Sequence, residues 1–151
     1  MSDPGANRAI IAQLVAALEQ GDDATLRQLF APDHIMHLHW YVPLPLAGSD
    51  EQPLLDRYEQ MDANARADVP DIRYTIEEQV ACGDWVVTIL TGRGMHARRG
   101  IGIEERVITT DRIVNGTIVE SWISSDRLGL FQQLGAVGPT PELFAKADLT
   151  L

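Results

Sequence analysis

Apolar residues in the first part of the chain recur at helical intervals. Between Ala6 and Gln20 they stand at Ile10, Ile11, Leu14, Val15, Ala17 and Leu18. This spacing predicts an amphipathic helix, and Gly21 supplies its stop signal. Asp22 or Asp23 is placed to cap a second, short helix that runs through Leu26, Leu29 and Phe30 and ends at Pro32. The two helices are expected to fold as a hairpin that covers another layer.

The next segment, residues 33–41, changes to a mixed pattern that predicts a strand. Alternation places one set of side chains on one face, namely Ile35, His37, His39 and Tyr41. The other face carries His34, Met36, Leu38 and Trp40. Both sets contain apolar groups, so the pattern leaves open which of the two faces the interior.

A third helix is predicted after a proline-containing loop. Ser49 and Gln52 have the spacing of a capping box, and apolar residues then continue at helical spacing at Leu54, Leu55, Tyr58 and Met61. The helix is expected to end before Val69, because Pro70 disfavours a helical conformation there.

The second half of the chain has strand patterns. Strands are predicted over 73–80, 85–91, 103–114 and 117–124, with a connection over 95–101. Gly83-Asp84 and Asn115-Gly116 are hairpin signals, the second typical of a type I′ turn. A helical turn or two is expected within 142–147. Three helices followed by four antiparallel strands, with one early strand, predict an α+β fold with helices on one face of a curved sheet.

The length of 151 residues is within the usual size of one domain, so a single domain over residues 1–151 is predicted. The chain is 45% hydrophobic and 23% charged, which is ordinary for a globular protein. Its net charge of -10 argues against nucleic acid or an anionic membrane as the main partner. The single cysteine, Cys82, excludes an internal disulfide, and no signal peptide or membrane span is evident. A cytoplasmic protein is therefore expected.

Several motifs resemble the SnoaL-like polyketide cyclases of the nuclear transport factor 2-like superfamily. They are Asp-His-Ile-Met-His at 33–37, the segments 71–77 and 83–87, the hairpin 111–122, and Asp-Arg-Leu-Gly-Leu-Phe-Gln-Gln-Leu-Gly at 126–135. The resemblance covers about residues 6–135, which it implies to be the core of the domain, with residues 136–151 as a tail. It implies a cone-shaped α+β barrel with an apolar pocket. It also implies a homodimer formed through the outer sheet face, and acid/base chemistry without a metal or other cofactor. The implied ligand is small, mostly apolar and carbonyl-containing.

The resemblance also implies that Asp126 acts on an activated C–H bond, so that the enolate closes a ring by an aldol-type condensation. Those cyclases use a histidine on the long strand before the Asn-Gly turn. This chain has none there, and its polar residues on that strand include Glu104, Arg106, Thr110 and Arg112. The scaffold hosts many functions, so isomerisation, hydrolysis and epoxide opening stay open, as does a non-catalytic binding or dimerisation module.

Three residues are predicted as catalytic, each with a structural alternative. Asp126 is either a general base in an apolar pocket or the cap of the following helix. His37 either donates to a substrate oxygen or is an ordinary strand residue. Arg112, with Arg106, either stabilises an anion or pairs with a carboxylate such as Glu120.

Five aromatic residues and methionines between residues 40 and 122 are predicted to line the pocket. With Arg106, the predicted pocket residues are Trp40, Tyr58, Met61, Trp85 and Trp122. His37 and His39 lie two apart, a spacing that is able to bind a metal. Two ligands are too few for the usual zinc site, so no metal is predicted.

Overall fold

The computed structural model describes residues 3–38 and 62–150. Its first helix, α1 (Pro4–Gln20), begins at the Asp3 side chain, which accepts from the Gly5 N–H, and ends at Gly21, which has φ 64°. Helix α2 (Asp23–Leu29) begins at Asp22, whose carboxylate accepts from the Thr25 N–H. The predicted hairpin of two capped helices is therefore confirmed.

The first strand begins earlier than the sequence predicts. Strand β1 (Phe30–Leu38) includes Phe30 and Pro32, which were expected to complete and end the second helix. Phe30 has extended backbone angles, φ -93° and ψ 141°. Pro32 is tolerated because β1 is an edge strand and its pairing register shifts between Phe30 and Ile35. Residues 39–41 of the predicted strand lie outside the described residues.

The third helix is described only at its end. Residues 62–68 are helical and are called α3, and the helix stops before Val69 as expected. The predicted start at Ser49 lies outside the described residues.

Four further strands form an antiparallel meander. They are β2 (Arg73–Cys82), β3 (Trp85–His96), β4 (Ile101–Val114) and β5 (Thr117–Ser125). The sheet order is β1-β5-β4-β3-β2, with β1 parallel to β5, and the sheet does not close. Asn115 and Gly116 both have positive φ, 51° and 82°, which confirms the predicted turn. Two short helices follow, α4 (Arg127–Gln133) and α5 (Thr140–Lys146).

Strand β3 continues through residues 92–96, all of which lie beyond the predicted strand. The last two of them, Met95 and His96, belong to the predicted connection. Two glycines make this possible. A Cβ on Gly92 would lie 2.9 Å from the Tyr74 ring, and one on Gly94 would lie 2.3 Å from Val69 Cγ1. Because Gly92 and Gly94 lack a Cβ, Tyr74 and Val69 pack closely against the inner face of the strand. These glycines are therefore part of β3 and do not indicate a loop.

The helices pack on one face of the sheet. The main core joins α1 and α2 to strands β3, β4 and β5 through Ile11, Leu14, Val15, Leu26, Leu29, Val86, Leu90, Ile113 and Ile118. A second, smaller cluster contains Val69, Ile103 and Leu130. Ile113 and Ile103 lie near opposite ends of β4, so the middle of this strand runs between the two clusters. This α+β arrangement, with helices on one face of a mixed sheet, confirms the predicted fold class. No helix among the described residues is long and apolar enough to span a membrane.

Candidate active site

A cavity of about 160 Å³ lies between α1 and the inner face of the sheet. Its apolar wall includes Ile11, Leu14, Val15, Leu18, Phe30, Met36, Leu90, Val107 and Ile123. Strand β4 contributes every second residue, from Glu105 through Thr109 to Asp111. The cavity is therefore mostly apolar with a few polar groups, which is the usual composition of a small-molecule site.

Asp111 is the most deeply buried carboxyl group of this wall, with 2% of its surface exposed. Both of its oxygens accept hydrogen bonds from hydroxyl groups. Ser121 donates to Oδ1 at 2.5 Å, and Thr109 donates to Oδ2 at 2.7 Å. Burial raises the pKa of Asp111 above its usual value, while the two hydroxyl donors oppose that rise.

The Ser121 hydroxyl also contacts a buried histidine. His34 Nε2 lies 3.0 Å from Ser121 Oγ, and His34 is 4% exposed. Burial lowers the pKa of His34 from 6.5 to about 4, so the ring is neutral near pH 7. Because Ser121 donates its proton to Asp111, its oxygen accepts from His34, which requires a proton on Nε2.

The other carboxyl groups of the cavity wall have cationic partners. Glu105 Oε1 lies 3.2 Å from Arg127 Nε, and Asp62 pairs with Arg66 one helical turn along α3. Burial raises the pKa of Glu105, and the Arg127 guanidinium opposes this rise. In the described part of the chain, no Lys or Arg side chain pairs with Asp111. Within residues 3–38 and 62–150, two hydroxyl groups are therefore what offsets its negative charge.

Asp126 lies outside the cavity. Its exposed carboxylate caps α4 by accepting from the Gly129 N–H at 2.8 Å, which is the structural alternative named for it. Among the described residues, none gives Asp126 the apolar surroundings that a general base would need. Its catalytic role stays a prediction.

His37 and Arg112 lie on the outer face of the sheet. Strand β1 turns His34 and Met36 inward, so His37 points outward with Ile35. His37 Nε2 lies 3.0 Å from Glu120 Oε1, and its ring stacks on Trp122 at 4.5 Å. Arg112 Nε lies 3.6 Å from Glu120 Oε2, and its guanidinium lies over Trp85. The two predicted catalytic side chains are thus brought together, but away from the cavity, and their roles stay predictions.

The predicted pocket residues are also absent from the cavity wall where the structure describes them. Trp85 and Trp122 pack against each other on the outer face, 5.5 Å apart. Arg106 is exposed on that face, in a shallow groove that also contains Asp126. Trp40, Tyr58 and Met61 lie outside the described residues. The even positions of β4 from 104 to 112 and of β5 from 120 to 124 face outward, which explains the placement of Arg106 and Trp122. Trp85 faces outward because of its position on β3.

Comparison with known proteins identifies the family. The model of the SnoaL-like polyketide cyclases matches residues 9–134. The chain belongs to the SnoaL-like polyketide cyclase family. No curated protein matches it. Among solved structures, wild-type IdmH, described as a "putative polyketide cyclase from Streptomyces antibioticus", is 31% identical, with a TM-score of 0.72 over 85% of this chain and 98% of that one.

More distant structures share the nuclear transport factor 2-like fold of this SnoaL-like chain. TsrD from Streptomyces laurentii is 22% identical, with a TM-score of 0.75 over 91% of this chain and all of that one. AclR from Streptomyces galilaeus, described as a "putative hydroxylase", is 18% identical, with a TM-score of 0.73 over 90% of this chain and all of that one. At these identities the likeness shows the fold alone.

The inward-facing polar residues of this SnoaL-like protein were missed by the sequence reasoning. They are His34, Tyr74, Glu105, Thr109, Asp111, Ser121 and Arg127. Alternation along β4 carried a signal for part of this set, because Ile103, Val107 and Ile113 share a face with Asp111. That face is the more apolar one, so it is the face expected to turn inward and to bury the carboxyl group.

Proposed function

We propose that this protein is a small-molecule enzyme of the polyketide cyclase type, in which Asp111 moves a proton at a carbon beside a carbonyl group. The observation that carries the proposal is a buried carboxyl group in an apolar cavity without a cationic partner in the described structure. Burial raises its pKa toward the range in which a carboxylate is an effective base near neutral pH. The family and the relatives named as cyclases support the reaction class.

The reaction starts when the Asp111 carboxylate accepts the proton of the C–H bond. The electron pair of that bond passes into the neighbouring carbonyl and forms an enolate. In a cyclisation, the enolate carbon attacks a second carbonyl of the same ligand, and the new alkoxide takes up the proton that Asp111 accepted, which restores the carboxylate. The mostly apolar wall lowers the local dielectric constant, which strengthens the hydrogen bonds at Asp111.

Glu105 is less suited to the same role. Its carboxylate is paired with Arg127, which stabilises its charged form and lowers its basicity. It also stands six residues before Asp111 on β4, a separation of roughly 20 Å at about 3.3 Å per residue. The two carboxyl groups therefore cannot act on one bond. We assign the Glu105–Arg127 pair to binding polar parts of the ligand.

A pair of matched variants tests the proposal. Deuterium exchange at the α-carbon of an apolar aryl ketone is followed by NMR in D₂O with wild-type protein, Asp111→Asn and Asp126→Asn. We expect wild-type protein to accelerate exchange and Asp111→Asn to lose a factor of about 10²–10⁴ of that acceleration. Retained exchange in Asp111→Asn, together with loss in a folded Asp126→Asn, would return the role to the residue predicted from the sequence.

The same experiment separates an enzyme from a binding module. Suppose that wild-type protein binds the ketone without accelerating exchange, and that Asp111→Asn binds it with the same affinity. These two results together would identify the protein as a carrier of hydrophobic ligands. Affinity would then follow the apolar wall, for example Val107 and Leu90.

We further propose that the protein forms a homodimer through the outer sheet face. This face exposes apolar side chains on β2, β3 and β4, including Val80 at 58%, Trp85 at 40% and Ile108 at 44%. A contiguous exposed apolar patch of this kind is typical of an interface. Sedimentation velocity is expected to show a dimer, and Ile108→Lys is expected to weaken it. A monomeric wild-type protein at micromolar concentration would contradict this proposal.

A further inference from the structure

A chain of hydrogen bonds connects Asp111 to a buried histidine that does not line the cavity. Ser121 Oγ stands between the two, 2.5 Å from Asp111 Oδ1 and 3.0 Å from His34 Nε2. All three residues are buried, with 2%, 2% and 4% of their surfaces exposed. They come from three strands, since β4, β5 and β1 are neighbours in the sheet.

The direction of the chain follows from the donor inventory of its members. An ionised Asp111 is only an acceptor, so the Ser121 hydroxyl donates to it. The single Ser121 proton is then used, and His34 Nε2 must be the donor to Ser121 Oγ. His34 Nδ1 has no hydrogen-bond partner among the described residues, as expected for the unprotonated nitrogen of this tautomer.

We propose that His34 is a positioning residue, which acts through Ser121 to orient Asp111 and to stabilise its carboxylate form. The proposal rests on the proposed function of Asp111, because the ionised form is the one that accepts a proton. A neutral imidazole suits this task, since it polarises the Ser121 hydroxyl without placing a second charge beside a buried carboxylate. Hydrogen bonds in such a chain strengthen one another in a region of low dielectric constant.

The described neighbours of Asp111 differ from those of His34. Asp111 is faced by the hydroxyls of Thr109 and Ser121, and the charged groups elsewhere on the cavity wall are Asp62, Glu105 and Arg127. His34 is influenced by Glu120 and His37, which lie on the outer face, and its ring packs against Phe30 at 4.6 Å. Thr109 therefore provides a second donor to Asp111 that is independent of His34.

This arrangement permits a mutant cycle with an internal control. The pKa of Asp111 is measured from its carboxyl ¹³C signal, which is assigned by its loss in Asp111→Asn. His34→Phe is expected to raise that pKa, since the polarised donor is lost, and His34→Gln, which retains an amide donor, is expected to restore it. In a Ser121→Ala background His34→Phe should cause no further rise, whereas in a Thr109→Val background the rise should remain.

Two results would overturn the proposal. The first is an Asp111 pKa that is unchanged by His34→Phe, and the second is a rise that persists without Ser121. Ring ¹⁵N chemical shifts of His34 in the wild-type protein test the proposal without relying on the folding of any variant. Protonation on Nε2 is expected. Protonation on Nδ1 would reverse the direction of the hydrogen-bond chain and contradict the proposal. These readouts do not depend on turnover, so they separate failure of this inference from failure of the proposed reaction.

Discussion

Burial of His34 is expected to make the protein sensitive to mild acid. The pKa of this residue is about 4 in the folded protein, against 6.5 for an unperturbed histidine, and desolvation is the main cause. Between these values the unfolded chain binds a proton that the folded chain does not. The contribution of His34 to stability is therefore complete above pH 6.5 and is lost as the pH falls toward 4.

The size of the effect follows from the difference between the two pKa values. A difference of about 2.5 pH units at about 1.4 kcal/mol per unit corresponds to roughly 3.4 kcal/mol in full. Between pH 8 and pH 5 the linkage relation gives a loss of about 2 kcal/mol. Asp111 acts in the opposite sense, because its raised pKa favours the protonated folded state as the pH falls.

Urea unfolding at pH 8 and pH 5 measures this contribution. Wild-type protein is expected to lose about 2 kcal/mol more than His34→Gln between the two pH values, with the linear-extrapolation slope unchanged. Carboxyl groups contribute to both proteins and largely cancel in the comparison. His96→Gln, which leaves His34 in place, is the control and should keep the wild-type loss. Equal losses in wild-type protein and His34→Gln would refute the reasoning.

Three further substitutions, two of them with a control variant, test core packing, a close glycine contact and a helix cap, each by urea or thermal unfolding. Ile118→Ala, at a position with 0% exposure, should cost about 2–5 kcal/mol, whereas Leu149→Ala, at a position with 60% exposure, should change stability by less than about 0.5 kcal/mol. Gly94→Ala would place a Cβ 2.3 Å from a valine methyl group and should cost about 1–3 kcal/mol. Gly102→Ala meets nothing within 4 Å, so a comparable loss there would contradict the steric explanation. Asp126→Ala removes the cap of α4 and should cost about 0.5–2 kcal/mol; an unchanged melting temperature would show that the cap contributes nothing.

Local signals predicted most of the fold. Capping residues and helical spacing located α1 and α2, and Asn115-Gly116 located the β4–β5 turn, because these depend on neighbours in the sequence. The errors came from tertiary contacts. Gly94 was left out of the predicted strand over 85–91, because its close contact with Val69 is invisible in the sequence.

The candidate site was less predictable for the same reason. Asp126 was favoured through a resemblance, although an aspartate before a helix is equally suited to capping, and the structure places it as a cap. Asp111 could have been found from the apolar alternation of β4. The orientation of β1 could not, since Ile35 and Met36 give both faces an apolar member, and only pairing with β5 decides that His34 turns inward.

The parallel pairing of β1 with β5 has a kinetic consequence. Each of the strands β2 to β5 pairs with a strand that is next to it in the sequence. The His34–Ser121 hydrogen bond, by contrast, joins residues 87 positions apart. Closing such a long loop costs chain entropy and slows folding relative to local pairing. A chain with only the meander formed would already hold Asp111 beside Ser121 but would lack the histidine behind them. Docking of β1 therefore completes both the sheet edge and the hydrogen-bond chain, so the ionisation of Asp111 should report on the last stage of folding.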